Sequence, residues 1–555
     1  MQDSVMKKYE EWLHKADDAE VKSALEAMKG DETAIAEAFN KDLEFGTAGM
    51  RGTLGAGTNC LNVYTIRKIT QGVADCMKTH GYKTASVACD SRINSDLFAR
   101  TVAEVFAANG IKTYLCRELM PTPFLSFLTR ETKSDVGVMI TASHNPAKYN
   151  GYKVYGADGC QLTDATALEM TDYIEAVDPF DVKTATADEY VKLGLIVPDT
   201  DEIVEKFLAE VEKMSVGDAH GLSVTYSPLN GTGYKLVPEI LRRIGVDKID
   251  VVPEQAMPDG NFPTCPYPNP EKAEALRLGL ERAEKNGSDI LIATDPDCDR
   301  AGIAVRHGGE YKLLTGNQVG VLLTDFLFST RAKNGTLPAR PVLVKTIVTT
   351  ALAAKVAEQY DAEVFDVLTG FKYIGDVIAK LEKKGEQNRF ILGFEESYGY
   401  LSGTYVRDKD AVNASMLIAE MTAHYKREGK TLIDRLEEIY EVFGVYEHKT
   451  VTFGFEGLDG ADKMKLILDG MRKNRPTEIA GEKGVKFVDY LTQTEFDLPK
   501  SNVLSFRMAD GSQLIVRPSG TEPLIKVYLT ACRDRAANAV KFETMLGELK
   551  TVFGK

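Results

Sequence analysis

At 555 residues, with 44% hydrophobic and 27% charged side chains, the chain is too long for one hydrophobic core and too apolar for a disordered polymer. Its formal charge is −15 and the acidic residues are scattered, so it offers a nucleic acid no general landing surface, and an anionic substrate needs a local basic pocket. Eight widely spaced cysteines without a C-x-x-C pair point to neither a zinc cage nor a dithiol redox motif, and no run approaches the ~18 apolar residues of a membrane span.

The first forty residues are charged and helical in pattern without an apolar signal core, which predicts a cytoplasmic protein. Strand-like and helical runs then alternate, as in βαβ units with parallel sheets. ASVACD (85–90), the helical SDLFARTVAEVFAANG, KTYLC and DVGVMITA form a first set. LSVTYSPLNGTG, a helix in YKLVPEILRRIG, DKIDVVPE, a helix to about Asn286 and DILIATDPDCDR form a second. PVLVKTIVTT, ALAAKVAEQYDA, EVFDVL and RFILGFEESYG form a third, followed by two helices ending near Phe443. The remainder alternates apolar and polar residues in YEHKTVTFGF, NVLSFRMADGSQLIVRPSG and LIKVYLTA, as an antiparallel sheet covered on one face does. Four units are expected: 1–215, 216–325, 326–445 and 446–555.

Each set ends an apolar strand in a polar loop, and the carboxyl ends of parallel strands are where ligands bind. The first loop delivers Ser143 and His144 together. The hydrolase elbow needs G-x-S-x-G, which is absent, and consecutive side chains in an extended loop diverge, which disfavours a serine with its base beside it. The second loop carries Asp295, Asp297 and Asp299 at alternate positions, hard oxygen ligands suited to a magnesium-type ion; the spacing does not fit an EF-hand. The third offers Glu395, Glu396 and Ser397, acceptors for a ligand rich in hydroxyls. In the last unit Arg517, Ser519, Gly520 and Thr521 make a compact donor set for a phosphate, without P-loop spacing.

Nine motifs in order resemble the α-D-phosphohexomutase family over nearly the whole chain: GTAGMRG (46–52), TASHNPAKYNGYK (141–153), SPLNGTG (227–233), PDGNFPTCPYPNPE (258–271), DPDCDR (295–300), TGFK (369–372), FEESYG (394–399), RDKD (407–410) and RPSGTEP (517–523). The resemblance implies three similar mixed-sheet α/β domains plus a smaller C-terminal α+β domain around a central cleft. It implies Ser143 as phosphoserine, one Mg²⁺ per chain held by Ser143, Asp295, Asp297 and Asp299, and a sugar loop at Glu395 and Ser397. Arg517, Ser519, Gly520 and Thr521 match the family's phosphate loop.

Such an enzyme would move a phosphoryl group between Ser143 and a sugar phosphate, with glucose 1,6-bisphosphate as intermediate and activator when the sugar is glucose. Arg51 and Lys153, in matching motifs, would neutralise charge and assist proton transfer, with His144 beside them; Arg300, Lys372, Lys409 and Arg517 would supply the positive field. Tyr398-Gly399 follows the sugar-loop serine where relatives that also accept mannose phosphates have Gly-His, which favours glucose 1- and 6-phosphate. The long N-terminal region resembles the phosphoglucomutase and phosphopentomutase-like branch, so mannose and pentose phosphates stand as alternatives, and a phosphomonoester hydrolase as a further one. A small-molecule sugar phosphate is the expected partner, with neither nucleic acid nor membrane, for a monomer or homodimer.

Overall fold

The computed structural model describes residues 2–46, 49–455, 460–519 and 524–554. A first sheet has the spatial order Met50–Thr53, Tyr149–Gly156, Val136–Ile140, Thr84–Cys89, Lys112–Leu115, Ile196–Pro198. Its last four strands run parallel, while Tyr149–Gly156 is antiparallel to both neighbours. Side chains alternate across a strand, and here both faces are apolar. Val136, Val138 and Ile140 enter the core made with helices Val63–Thr79 and Ser95–Ala108, whereas Met139 enters a second core with Phe124, Leu125 and Leu128 of helix Thr122–Glu131. Three N-terminal helices, Gln2–Lys15, Ala19–Ala27 and Glu32–Phe39, close the first core through Tyr9, Trp12, Leu25 and Phe39.

The second sheet has the order Glu310–Leu314, Ala301–His307, Ile290–Thr294, Ser223–Ser227, Lys248–Val251, and the third Glu363–Val367, Val342–Thr346, Phe390–Glu395, Gly399–Leu401. The alternating pattern predicts parallel βαβ units, and one side of each sheet obeys it; the other side is antiparallel, so the sheets are mixed, as the family resemblance implies. Ala301–His307 turns back on Ile290–Thr294, and Gly399–Leu401 on Phe390–Glu395, each antiparallel. The physical reason is local. Each motif loop is a tight reversal that brings the chain straight back, and Gly308 and Gly309, both with positive φ, then close the next hairpin.

These two units share one continuous core with the back face of the first sheet. Helix Gly316–Lys333 is unbroken, so the expected limit between residues 325 and 326 falls inside a helix. The C-terminal sheet is antiparallel throughout, in the order Glu447–Gly454, Leu524–Ala531, Gln513–Pro518, Leu504–Arg507, Lys486–Asp489. Leu514 and Val516 face helices Gly460–Lys473 and Arg535–Phe553, while Ile515 between them faces Ile347, Val348 and Leu368 of the third unit. Among the described residues no helix is long and apolar enough to cross a membrane.

Gly320 seats helix Gly316–Lys333 on the strand that carries the sugar loop, since a Cβ there would lie 2.0 Å from Phe394 Cε2. Gly320→Ala is expected to lower the urea midpoint by the equivalent of up to about 2 kcal/mol, an overpacking cost of about 1–3 kcal/mol offset by alanine's helix preference of about 1 kcal/mol. Urea unfolding followed by circular dichroism checks it; a midpoint at or above wild type would refute this packing.

Candidate active site

Strand Val136–Ile140 ends and the chain turns at once. Thr141 Oγ1 donates to Asp90 Oδ2 (2.6 Å) and accepts from Ser143 N (2.8 Å). Ser143 adopts φ +52°, a left-handed conformation that non-glycine residues keep only where the surroundings enforce it. Those surroundings centre on Arg92. Its buried guanidinium donates to the carbonyls of Ser143 (2.6 Å), Tyr149 (2.9 Å) and Pro146 (3.0 Å), and to that of Asn145. The left-handed turn overrides the divergence expected of an extended loop: Ser143 Oγ lies 3.2 Å from His144 Nδ1. Desolvation, together with the guanidinium groups of Arg300 and Arg51, pushes the His144 imidazolium well below its ordinary range, so the ring is neutral.

Ser143 Oγ also donates to Asp295 Oδ2 (2.8 Å), joining the first loop to the second. Asp295 Oδ1 accepts from the backbone of Asp299 (3.1 Å) and Arg300 (3.0 Å), which curls the loop so that carboxylate oxygens of Asp295, Asp297 and Asp299 lie within 4.8 Å of one another. Asp297 Oδ2 accepts from Lys153 Nζ (3.0 Å) and Thr122 Oγ1 (2.9 Å); Lys409 Nζ lies 3.1 Å from Asp299 Oδ2. Burial and mutual repulsion push Asp295 well above the carboxylate range and raise Asp299. Asp297, which burial alone would raise, is held low by Lys153 and by hydrogen bonds from Lys153, Asp295 and Thr122. Asp297 Oδ1 and Asp299 Oδ1 are buried without a hydrogen-bond partner. Two orphaned oxygens in an all-carboxylate set fit a hard divalent cation of the Mg²⁺ kind.

Above this cluster opens a cleft of about 1380 Å³ walled by Arg51, His144, Arg300, Lys372, Glu395, Ser397, Lys409 and Arg517, among others. Ser143, Lys153 and the three aspartates are buried behind that wall. Lys153 is buried on strand Tyr149–Gly156, and Arg51, on strand Met50–Thr53, lines the cleft. Arg300 donates to Glu271 (2.6 Å); burial works against its charge, but Glu271, Asp299 and Asp295 keep it protonated. Lys409 is likewise held charged against its burial by Asp299, Asp408 and Glu395. Lys372 pairs with Asp164. Glu395 Oε1 accepts from Gly370 N (2.9 Å), tying the FEES loop to the TGFK turn. Glu396 accepts from Thr349 (3.1 Å) and Thr346 (3.3 Å), and burial with the charge of Glu395 pushes it up to about 7. Arg517 is the penultimate residue of strand Gln513–Pro518, and Ser519 N donates to Leu524 O (2.8 Å) across the start of the loop. Gly520 and Thr521 lie outside the described residues.

Several site residues escape a reading of the motifs. Asp90 and Arg92 support the serine loop, and their signal was another strand ending in a polar loop, CDSR. Thr122 reaches Asp297 from a helix start that Pro121 and Pro123 mark, but nothing in the sequence says which loop that helix start meets. Lys526 stands directly across the sheet from Arg517 and also lines the cleft, so two cations share one face; only the pairing register reveals it. The SPLNGTG loop buttresses the aspartates from behind, with Thr232 N donating to Pro296 O (2.8 Å) and Gly231 leaving no room for a Cβ, which would lie 2.5 Å from Pro296 Cα.

Comparison with known proteins agrees with this layout. Four descriptions match in order: phosphoglucomutase/phosphomannomutase alpha/beta/alpha domain I at residues 42–180, domain II at 201–309, domain III at 315–443 and the C-terminal domain at 464–545. A phosphoglucomutase of Staphylococcus aureus (strain MSSA476) is 37% identical over 552 residues, covering 96% of this chain and 98% of its own. That of Staphylococcus haemolyticus is 35% identical over 535 residues, covering 94% and 95%. Among solved structures, the open form of a Paramecium phosphoglucomutase, parafusin, superposes with a TM-score of 0.70 at 16% identity, covering 93% of this chain and 96% of that one. A phosphoglucomutase/phosphomannomutase family protein from Burkholderia thailandensis gives 0.65 at 17%, covering 92% and 97%. With four domain matches in order and relatives above one-third identity over almost its full length, the chain belongs to the phosphoglucomutase/phosphomannomutase family and is an enzyme of the intramolecular phosphotransferase type.

Proposed function

We propose that this chain interconverts glucose 1-phosphate and glucose 6-phosphate, with Ser143 as phosphoryl carrier and glucose 1,6-bisphosphate as intermediate and activator. The relatives named phosphoglucomutase support the sugar. The observation that carries the chemistry is Ser143 Oγ hydrogen-bonded to Asp295 inside a buried cluster of three carboxylates with two unpartnered oxygens.

Asp295, Asp297 and Asp299, with Ser143, would hold one Mg²⁺ per chain, and such an ion supplies Lewis-acid stabilisation of charge on transferring phosphoryl oxygens. The chain's own groups do the rest. A sugar hydroxyl oxygen attacks the phosphorus on Ser143, the P–Oγ bond breaks, and the proton given up by the hydroxyl is matched by one taken up at Oγ. Lys153 and Arg51 neutralise the negative charge that builds on the phosphoryl group. His144, neutral and 3.2 Å from Oγ, is within reach to accept or return the proton. Glu395 and Ser397 read sugar hydroxyls, Arg517, Ser519, Gly520 and Thr521 bind the phosphate that is not reacting, and Arg300, Lys372 and Lys409 add to the positive field that holds the substrate. The bisphosphate then turns over in the cleft and returns its other phosphate to Ser143.

The unit limits proposed are 215/216, 315/316 and 445/446, the middle one moved to the start of helix Gly316–Lys333. Dispersed free cysteines support action in the cytoplasm, as a monomer or homodimer.

Ser143→Ala is expected to lower turnover by about 10³-fold or more while sugar-phosphate affinity stays within about twofold. A coupled assay with glucose, mannose and pentose 1-phosphates, together with calorimetric binding, checks both the carrier and the sugar. Wild-type turnover in the variant would end the carrier role, and a better rate with mannose or pentose phosphate would end the glucose assignment. Glu396 yields a pH test. Its pKa is raised from 4.5 to about 7, so the stability contributed by its neutral form is complete below 4.5 and lost as pH rises through about 7. Wild type should lose up to about 2 kcal/mol relative to Glu396→Gln between pH 5 and pH 8, partial exposure reducing the full effect; parallel pH–stability curves would contradict it.

A further inference from the structure

Among the described residues, two groups of three or more metal-competent side chains bring their ligand atoms within 4.8 Å of one another. One is the aspartate cluster. The other lies in the first unit and has no part in the chemistry above: Cys76, His80 and Glu169.

Its construction follows from helix geometry. Cys76 and His80 are four residues apart at the end of helix Val63–Thr79 and its cap, so one turn places them on the same face. Glu169 comes from helix Asp164–Glu175, which crosses that face closely because Gly72 has no side chain: a Cβ there would lie 2.5 Å from Ile174 Cα. His80 Nε2 is 2.8 Å from Glu169 Oε1, and Tyr82 stacks on the imidazole with ring centroids 5.5 Å apart. Tyr173 OH donates to Thr79 Oγ1 (3.2 Å), pinning the same two helix ends together. The donor set, one sulfur, one imidazole nitrogen and one carboxylate, is chemically unlike the three carboxylates in the cleft. Thiolate and imidazole select borderline ions, whereas an all-oxygen set suits Mg²⁺.

We propose that Cys76, His80 and Glu169 form a separate binding site for a borderline divalent ion of the Zn²⁺ class. Cys76 is buried, while the side chains of His80 and Glu169 are 42% and 43% exposed, so the ion enters from solvent and water completes its fourth position. On binding, the Cys76 thiol gives its proton to solvent and the sulfur takes up the ion; the proton bridging His80 and Glu169 is likewise displaced. The consequence reaches the cleft. Glu169 lies five residues after Asp164, the first residue of the same helix, and Asp164 pairs with Lys372 of the third unit. An ion clamping Glu169 to the neighbouring helix braces the element that holds Lys372 in place.

The test uses the full-length chain with Mg²⁺ at saturation, titrated with Co²⁺ and with Zn²⁺. We expect one Co²⁺ per chain to produce a thiolate-to-metal charge-transfer band in the near ultraviolet, and Zn²⁺ to abolish it and raise the melting temperature. Cys76→Ser and His80→Ala should each remove the band and weaken Zn²⁺ binding by about tenfold or more, with turnover in Mg²⁺ unchanged. His80 is exposed, so its variant remains informative even where Cys76→Ser fails to fold. Co²⁺ binding without the band, a band that survives in His80→Ala and Glu169→Gln, or Zn²⁺ binding that only competes with Mg²⁺ in the cleft would each overturn the proposal.

Discussion

Three carboxylates held within 4.8 Å of one another and shut off from water are the constraint around which the rest of this molecule is arranged. Left alone, such a cluster would be prohibitively costly to ionise. The chain offsets it with groups from different parts of the sequence: Lys153 and Thr122 from the first unit and Lys409 from the third. A Lys–Asp contact at 3 Å contributes roughly 5 kcal/mol of attraction at an effective dielectric of 20, while losing one partner of a buried pair typically costs about 3–5 kcal/mol. Neutralising the second unit's loop therefore requires the first and third to be docked against it. The same backbone is stitched across units, with Thr122 N donating to Asp297 O, Ala301 N to Tyr398 O and Ala411 N to Cys298 O.

The serine loop answers a different demand. The proposed carrier role requires Ser143 to present its oxygen in one orientation to successive acceptors, and a freely flexing loop would not. Arg92 gathers the loop's carbonyls around one planar, permanently charged group, and Asp90 accepts from both Thr141 and Ser95, tying the serine loop to the start of helix Ser95–Ala108. Ser143 is thereby kept left-handed and nearly inaccessible, at 2% exposure, which also limits the access of water to any group it carries.

Positive charge is outnumbered in this chain, 67 lysines and arginines against 82 aspartates and glutamates, and the fold gathers part of it in one place. Arg51, Arg300, Lys372, Lys409, Arg517 and Lys526 come from all four units and line one cleft. Focusing cations between low-dielectric walls gives an anionic sugar phosphate a single attractive destination. The C-terminal unit brings Arg517 and Lys526 while resting on the third through a small apolar patch of Ile515, Val503 and Tyr490 against Ile347, Val348 and Leu368. Tyr446, Leu498 and Cys532 of the same unit add a second apolar contact, joining the core shared by the second and third units.

The central parallel strands, the antiparallel last unit and the loops bearing Ser143, Asp295, Glu395 and Arg517 were legible in the linear order, because apolar runs that stop at polar clusters have a local cause. Periodicity, turn chemistry and ligand type all act within about ten residues. The left-handed turn that joins Ser143 to His144, the burial of Lys153 and the partnership of Arg517 with Lys526 were not, and the returning antiparallel strands were implied only by the family resemblance, not by the local pattern. Nor could spacing disclose Cys76, His80 and Glu169 as neighbours, since the third comes from another helix. Each of these depends on which strand pairs with which and how closely two elements approach, and those distances are set by packing across dozens to hundreds of residues. Local pattern thus specified the kinds of groups this protein presents, and the fold alone specified which of them meet.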